Sequence, residues 1–153
     1  MMAIATGTLT VTITESLDVG TTVMDTATSV AETVTCNDIF KRVITCPTSE
    51  ITLYTTHATD VAGSQFDEDK IAYARVTNHD SSNFVTLRLT DANSDEFVYK
   101  LEAGKSFMIW THKTAMSAAD AATAGAVNAD ITSMKVQADT GACDLEVLIA
   151  SVA

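Results

Sequence analysis

The segment NHDSSN at residues 78–83 contains the residue types of a nucleophilic hydrolase site, namely a histidine, an aspartate and two serines. In such enzymes a histidine activates a serine hydroxyl, and an aspartate orients the histidine. His79, Asp80 and Ser81 are adjacent in sequence, however, so their side chains diverge in a turn, whereas the fold assembles a triad from separate positions. Asn, Asp and Ser also favour turns, because their side chains hydrogen-bond nearby backbone groups. We therefore predict a polar turn without a catalytic role.

The other two histidines, His57 and His112, occur without the H-x-H, H-E-x-x-H or H-x-x-E-H spacing that organises a metal ion. Two acidic groups contain the oxygen ligands that suit Ca²⁺, but neither matches the Asp-x-Asp-x-Asp-Gly loop with its closing glutamate. We interpret both groups as hydrated loops, so the sequence predicts no metal site, no cofactor and no enzyme activity. The two groups are Asp60, Asp67, Glu68 and Asp69, and Asp91, Asp95 and Glu96.

The chain has three cysteines, Cys36, Cys46 and Cys143, and no C-x-x-C pair. Cys36 and Cys46 are ten residues apart and could face each other across a hairpin, so a bond between them stays open. Reduced and buried thiols are the more common state in a cytoplasm. A zinc site is not expected, because the spacing of its ligands is missing.

The net charge of −11 comes from 20 acidic and 9 basic side chains. Binding to nucleic-acid phosphates needs clustered Lys and Arg, and here only Lys41 and Arg42 are adjacent. Direct nucleic-acid binding is therefore not expected. No apolar run approaches the ~20 residues of a membrane-spanning helix, and the N-terminal residues do not resemble a secretory signal. These features predict assembly in a cytoplasm, without a membrane partner.

The composition favours β-strands, because the chain has 25 threonines and one proline and β-branched residues suit a pleated surface. The clearest strand pattern is TLTVTITES at residues 8–16, where Leu9, Val11 and Ile13 alternate with threonines. These threonines form a ladder on the opposite face, which we take as a candidate contact for a neighbouring subunit. They are Thr8, Thr10, Thr12 and Thr14.

Similar patterns predict further short strands, whereas residues 21–35 match neither a helix nor a strict strand pattern. The strands are predicted within 39–46, 51–57, 71–77, 84–90, 97–101, 106–111, 133–138 and 142–151. The short spacers between the strands within 71–111 suggest consecutive antiparallel hairpins, and Gly104 can supply a positive φ to one turn. Residues 60–70 are predicted to be a surface loop, and the Ala-rich residues 115–126 a short helix or loop. The expected fold is all-β: residues 1–153 as a single antiparallel β-sandwich or jelly-roll-like domain.

Three aromatic residues, Tyr54, Phe84 and Trp110, have flat rings that can stack on sugars. Burial in the core or in an interface is the more common use of such side chains. We treat Trp110 as a candidate interface residue, together with His79 and Asp80 of the polar turn.

From residue 71 onward the chain resembles a pattern that recurs among virion structural proteins of tailed bacteriophages. The segments that carry the resemblance are YARVTNHDSSNFVTLRL, EFVYKLEAGKSFMIW and MKVQADTGACDLEVLIAS. Similar phage proteins have a strand, a polar turn, an F-V-x-L strand, an aromatic strand, an L-x-A-G-x-S turn and a final alternating strand after A-D-T-G-A. The first 70 residues show no such likeness, and no functional residue can be carried over.

The resemblance implies a small β-sandwich that binds other virion proteins in many copies. The expected function is that of a capsid decoration, or cement, protein, which binds the lattice of the major capsid protein and stabilises the shell. Its expected partners are the major capsid protein and other copies of itself, and its expected location is the virion. Two alternatives stay open: a tail, neck or adaptor protein that forms a ring, and a carbohydrate-binding surface module.

Overall fold

β-Strands are the only regular elements in the computed structural model, which describes residues 7–19, 22–57, 65–67, 70–110, 115–116 and 129–152. In chain order the strands are β1 (Gly7–Val19), β2 (Thr22–Cys36), β3 (Asp38–Cys46), β4 (Ile51–His57), β5 (Gln65–Asp67), β6 (Ile71–Asn78), β7 (Val85–Asp91), β8 (Glu96–Leu101), β9 (Ser106–Ile109), β10 (Ala115–Met116), β11 (Ala129–Ala138) and β12 (Cys143–Ser151). These residues include no helix that is long and apolar enough to cross a membrane. The prediction of an all-β fold is confirmed.

The alternation of side chains in the sequence decides which face of each strand is buried, and β12 shows this most clearly. Every second residue from Cys143 to Ile149 faces the interior and is buried. Asp144 and Glu146, which lie between them, occupy the opposite face. Because successive side chains of a strand point to opposite sides, β12 buries its apolar residues without burying a carboxylate.

Eight of the strands form two facing sheets. The first sheet has the order β3-β12-β6-β9, and the second has the order β4-β11-β7-β8, with β5 added beside β4 and β10 beside β11. The chain passes from one sheet to the other between β3 and β4, β5 and β6, β6 and β7, β8 and β9, β9 and β10, and β11 and β12. This strand order is that of a jelly roll.

The space between the two sheets is filled mainly by aliphatic side chains. The largest fully buried ones are Leu87, Leu89, Leu101, Met134, Leu145 and Ile149. Aromatic pairs close the two lateral margins. Phe40 packs against Phe66 on one side and Tyr99 against Phe107 on the other, with ring centroids 6.0 and 5.1 Å apart. Each pair joins a strand of one sheet to a strand of the other, so both margins help to hold the sandwich together.

Strands β1 and β2 form a separate two-stranded antiparallel sheet, which we call the arm. Its register runs from Gly7 opposite Cys36 to Val19 opposite Thr22, with an irregularity after Glu15. Residues 21–35, which matched no pattern in the sequence, therefore belong to a strand for nearly their whole length. Among the described strands, β2 pairs only with β1, and its residues 29–33 are exposed, so no core enforces a strict apolar alternation on this part of the strand.

The base of the arm packs on the outer face of the first sheet. Cys36 forms a small buried cluster there with Tyr73 and Ala150. A single residue, Asn37, separates β2 from β3, and its backbone N–H donates to the carbonyl of Ser151 at 2.8 Å. The arm is thus held to the body at its base by packing and by a backbone hydrogen bond.

Two predictions of local structure require correction. The surface loop expected over residues 60–70 is wrong at Gln65–Asp67, which pair in parallel with β4 as β5. Phe66 explains this strand, because its ring packs edge-on against Phe40 and Tyr54. In the Ala-rich segment, residues 115–116 pair with β11 as strand β10, whereas residues 117–126, which carry most of the prediction of a short helix or loop, lie outside the described part of the chain.

The prediction of consecutive hairpins between residues 71 and 111 holds only for β7 and β8, which pair directly. Strand β6 pairs with β12 and β9, and thus lies in the sheet opposite β7. The spacing of turns marks where the chain reverses, but it does not tell whether the next strand stays in the same sheet or crosses to the other.

All three cysteines are free and buried. Cys46 lies opposite Cys143 on adjacent strands, whereas Cys36 belongs to the cluster at the base of the arm. The two thiols that a hairpin could have paired are therefore in different parts of the molecule. Burial, with the neighbouring Cys143 as a smaller cause, raises the pKa of Cys46 to about 11. At neutral pH this thiol is protonated and behaves as a small apolar side chain.

Gly104 has a φ of 70°, so the prediction of a positive φ in this turn is confirmed. The turn joins β8 to β9 and is tied to the end of β6. The N–H of Gly104 donates to the carbonyl of Asn78 at 3.0 Å, and the N–H of Asn78 donates to the carbonyl of Lys105 at 2.9 Å. A side chain at position 104 would be strained by this backbone conformation.

Candidate interaction surfaces

The segment 78–83 is a hydrogen-bonded turn between β6 and β7, as predicted. Asp80 Oδ1 accepts the backbone N–H groups of Ser82 and Asn83 at 2.8 and 2.7 Å, and also the hydroxyl of Ser82 at 3.3 Å. These donors, the N–H of Asn83 above all, hold the pKa of Asp80 below its usual range. His79 is exposed, and its backbone N–H donates to the carbonyl of Asp144 at 2.8 Å. The carboxylate therefore stabilises the backbone of its own turn.

Asn78 connects this turn to the sandwich, and its side chain is completely buried. Its Nδ2 donates to the carbonyls of Asn83 and Leu101 at 2.9 and 3.4 Å, and its Oδ1 accepts the N–H of Asp80 at 3.0 Å. Sequence reasoning placed Asn78 among the polar turn residues and missed this role. No pattern distinguishes a buried asparagine from an exposed one at the end of a strand.

Replacing Asp80 with asparagine is expected to lower the melting temperature at neutral pH but not in strong acid. A carboxyl group whose pKa is lowered by folding contributes stability above its unfolded-state pKa, here 3.8. That contribution disappears as the pH falls through the lower folded-state value. Thermal unfolding across this pH range, with the exposed Asp139→Asn as control, measures the effect. A difference between wild type and Asp80→Asn that is the same at every pH would contradict this role.

The other residues considered as metal ligands do not converge in the described ranges. His57 is exposed at the end of β4, and Asp67 forms an ion pair with Lys70 at 3.3 Å. No group of three or more His, Cys, Asp or Glu in the part of the chain that the structure describes is arranged to hold a metal ion. The positions that lie outside this part are Asp60, Glu68, Asp69 and His112.

The second acidic group is part of the turn between β7 and β8. Asp91 is buried, and its Oδ1 accepts the N–H groups of Asn93 and Asp95 at 2.9 and 2.8 Å. Glu96 lies on the outer face of the sheet, where it pairs with Arg88 at 2.8 Å. This group is therefore a capped turn next to a surface ion pair, in which Asp91 Oδ1 is satisfied by backbone N–H groups and Asp91 Oδ2 is buried without a hydrogen-bond partner in the described residues.

The threonine ladder lies on one face of the arm and is exposed. Within the described residues β1 and β2 pair only with each other, so each strand has one open edge with unpaired backbone groups. Cross-strand neighbours are small and mostly polar, which keeps this face hydrated. The pairs are Thr8 with Thr35, Thr10 with Thr33, Thr12 with Ala31, and Thr14 with Ser29.

The opposite face of the arm is apolar and becomes more exposed with distance from the body. Near the base, Leu9, Val11 and Val34 are half-buried against the cluster on the first sheet. Farther out, the cross-strand pair Ile13 and Val30 is 37% and 52% exposed. An apolar pair in this position is available for contact with another molecule.

Strand β8 is an edge strand of the second sheet and exposes apolar side chains on both of its faces. Phe97, Val98 and Tyr99 are 46%, 58% and 39% exposed. Phe97 and Tyr99 lie on the same face as Leu101, but Leu101 alone of the three is buried. Alternation along a strand indicates which side chains share a face. It does not indicate how exposed they are, because exposure depends on which strand forms the edge of the sheet.

The three aromatic residues considered for sugar stacking do not share one exposed face, because Tyr54 is buried in the core. Phe84 lies beneath the ammonium group of Lys100, which is 4.3 Å from the centre of its ring. Trp110 follows β9 and packs edge-on against Tyr73 at 5.3 Å. Trp110 is thus a partly exposed residue at the base of the arm.

No protein-family model matches this chain, and no curated protein matches it either. Similar solved structures include a protein from the disulfide-linked pili of Bacillus endospore appendages. It is 10% identical with a TM-score of 0.41, over 76% of this chain and 87% of that chain. AlgX of Pseudomonas aeruginosa is also similar, at 13% identity and a TM-score of 0.43, over 74% of this chain and 26% of AlgX.

Proposed function

We propose that this protein is a capsid decoration protein of a tailed bacteriophage, which binds the lattice of the major capsid protein and stabilises the shell. The observation that carries the proposal is that β8 presents exposed apolar side chains on both faces of an edge strand. The resemblance of the chain from residue 71 onward to phage virion proteins supports it.

An edge strand of this kind suits binding to a protein with an accessible strand or groove. The unpaired backbone groups of β8 can extend the sheet of a partner, and the side chains on its two faces can fill pockets on either side. Aromatic side chains such as Phe97 and Tyr99 carry a large share of the binding energy in protein interfaces. Each bound copy then favours the assembled lattice by mass action.

The abundance of the protein in purified virions tests the proposed location. A decoration protein is expected in proportion to the major capsid protein, which quantitative mass spectrometry of the virion measures. A tail or neck protein would instead be present as one ring of fixed symmetry. A carbohydrate-binding module would bind glycans in isolation and would not associate with capsids, and that result would overturn the proposal.

Substitutions in β8 are expected to weaken binding to capsids from which the protein has been removed. Combining Val98→Asp with Phe97→Ser removes apolar side chains from both faces, and we expect the dissociation constant to rise about thirtyfold or more. Thr52→Asp changes an exposed residue of β4 and serves as the control. Sedimentation of capsids with labelled protein measures binding. Unchanged binding of the β8 variant would contradict the assignment of this surface.

A further inference from the structure

The outer half of the arm combines an apolar centre with negative charge. By the outer half of the arm we mean the exposed patch of Ile13, Glu15, Val30 and Glu32, which begins beside the half-buried Val11. On the apolar face of the arm, the pair Ile13 and Val30 lies between two exposed carboxylates, with Glu32 one step towards the base and Glu15 one step beyond. Residues 1–40 contain five acidic residues and no Lys, Arg or His. A partner that covers this surface must therefore bring apolar side chains together with positive charge.

A surface of that chemistry occurs on β3 of the same protein. The outer face of this edge strand carries every second residue, namely Ile39, Lys41 and Val43. We call these three residues the β3 face. Ile39 and Val43 are 51% and 61% exposed, and the side chain of Lys41 is 55% exposed. The β3 face thus has a positive charge between two apolar residues, whereas the outer half of the arm has two apolar residues between negative charges.

Lys41 has the capacity to bind a further carboxylate. Its Nζ lies 3.2 Å from Glu146, but Glu146 also pairs with Arg75. Two cations therefore share one carboxylate at this place on the sheet. An incoming Glu15 or Glu32 would balance the second positive charge, and the neighbouring valine and isoleucine would exclude water from the pair.

The contact has to form between two molecules. Within one molecule, the base of the arm covers Tyr73 and Ala150 on the outer face of the first sheet and leaves the β3 face open. The exposure of Ile13 and Val30 shows that the outer half of the arm is clear of its own body. The outer face of the first sheet is thus covered by the arm of its own molecule at Tyr73 and Ala150. The same face continues onto β3, where nothing in the described residues covers it.

We propose that the outer half of the arm of one copy docks on the β3 face of a second copy, so that this protein assembles head to tail. Ile13 and Val30 cover Ile39 and Val43, and Lys41 pairs with a carboxylate of the arriving arm. Because the two patches differ, each copy still has one free arm and one free β3 face after a contact forms. Such an interface produces a closed ring or an open chain.

This proposal goes beyond capsid binding, and it is tested on the purified protein alone. Val30→Asp disables the arm, and Val43→Asp disables the β3 face. In sedimentation velocity experiments, the wild-type protein is expected to form species larger than a monomer. Each variant alone is expected to be monomeric. A mixture of the two is expected to form dimers and nothing larger, because only one functional arm and one functional face can meet.

Charge reversal tests the same contact without changing an apolar residue. Glu32→Lys and Lys41→Glu are each expected to raise the dissociation constant of self-association about tenfold. The two changes together in one chain are expected to restore most of the affinity. Both positions are exposed, so thermal unfolding should show that each single variant folds like the wild type.

Val98→Asp, in the exposed strand of the other sheet, is the control and should leave self-association unchanged while it weakens capsid binding. A variant can therefore lose capsid binding and keep self-association, so the experiments can contradict either proposal without contradicting the other. Monomeric wild-type protein at high concentration would overturn head-to-tail assembly. So would a mixture of Val30→Asp and Val43→Asp that stays monomeric, or a double charge reversal that binds no better than the single ones.

Discussion

Replacing Leu87 with alanine is expected to lower the free energy of unfolding by about 3–4 kcal/mol, the largest single effect that we predict for the fold. Leu87 lies on the inner face of β7 and is completely buried. It is opposite Val136 on one neighbouring strand and Tyr99 on the other. Rigid strands on both sides prevent the site from collapsing, so the substitution removes apolar contacts and also leaves a cavity. Denaturant unfolding measured by fluorescence or circular dichroism gives the change.

Val98→Ala is the matched control for this measurement. Val98 lies on the adjacent strand β8, but its side chain is exposed, so its truncation should change stability by no more than about 0.5 kcal/mol. A loss below about 1 kcal/mol for Leu87→Ala would mean that the interior repacks freely, contrary to a close-packed core.

Replacing Asn78 with alanine is expected to destabilise the protein by about 2–3 kcal/mol, since it removes three hydrogen bonds at a buried position. The carbonyl of Leu101 would lose a side-chain donor inside the protein, and the backbone of the turn would lose its connection to Asn83 and Asp80. Equilibrium unfolding gives the size of the effect. Hydrogen exchange of the amides near the turn shows whether the loss is local.

Ser81→Ala is the control, because it changes an exposed residue of the same turn. Its effect should lie within about 0.5 kcal/mol of zero. If Asn78→Ala is no more destabilising than Ser81→Ala, the buried amide does not organise this end of the sandwich.

The faces of the strands could be predicted from the sequence, but their partners could not. The apolar residues that alternate along β12 from Cys143 to Ile149 are the ones that the structure buries between the sheets. The same pattern does not record that β12 lies between β3 and β6, strands that are far apart in the chain. Pairing in a jelly roll is almost entirely non-local, so patterns over five to ten residues cannot determine it.

The candidate surfaces were predictable to different degrees, because a sequence pattern shows the face of a strand but not the position of that strand in its sheet. The threonine ladder was visible in the sequence because an exposed face that alternates with an apolar one has a period of two. The exposure of Phe97 and Tyr99 was not, because aromatic residues in an alternating strand are typical of a core strand as much as of an edge. Ile39 and Val43 were likewise unremarkable until β3 was found at the edge of its sheet with an uncovered outer face.

The polar turn illustrates the opposite case, in which local chemistry decided the structure. Asp80 caps backbone N–H groups two and three residues away, which is the behaviour that made a turn the expected structure. The contribution of Asn78 depends on Leu101, 23 residues away along the chain, and no local pattern reports such a contact.

The position of β11 and β12 within the sheets has a consequence for the growing chain on the ribosome. Both strands are made after the strands on either side of them, because β12 lies between β3 and β6 and β11 lies between β4 and β7. Until they emerge, neither sheet can close, and the flanking strands must wait with unpaired edges. The arm, whose strands are neighbours in sequence, is free to form at once. During translation the arm thus emerges first, and the strands that complete the two sheets emerge last. Until then the strands of the body have unpaired edges, so we expect chaperones to bind them before the body folds.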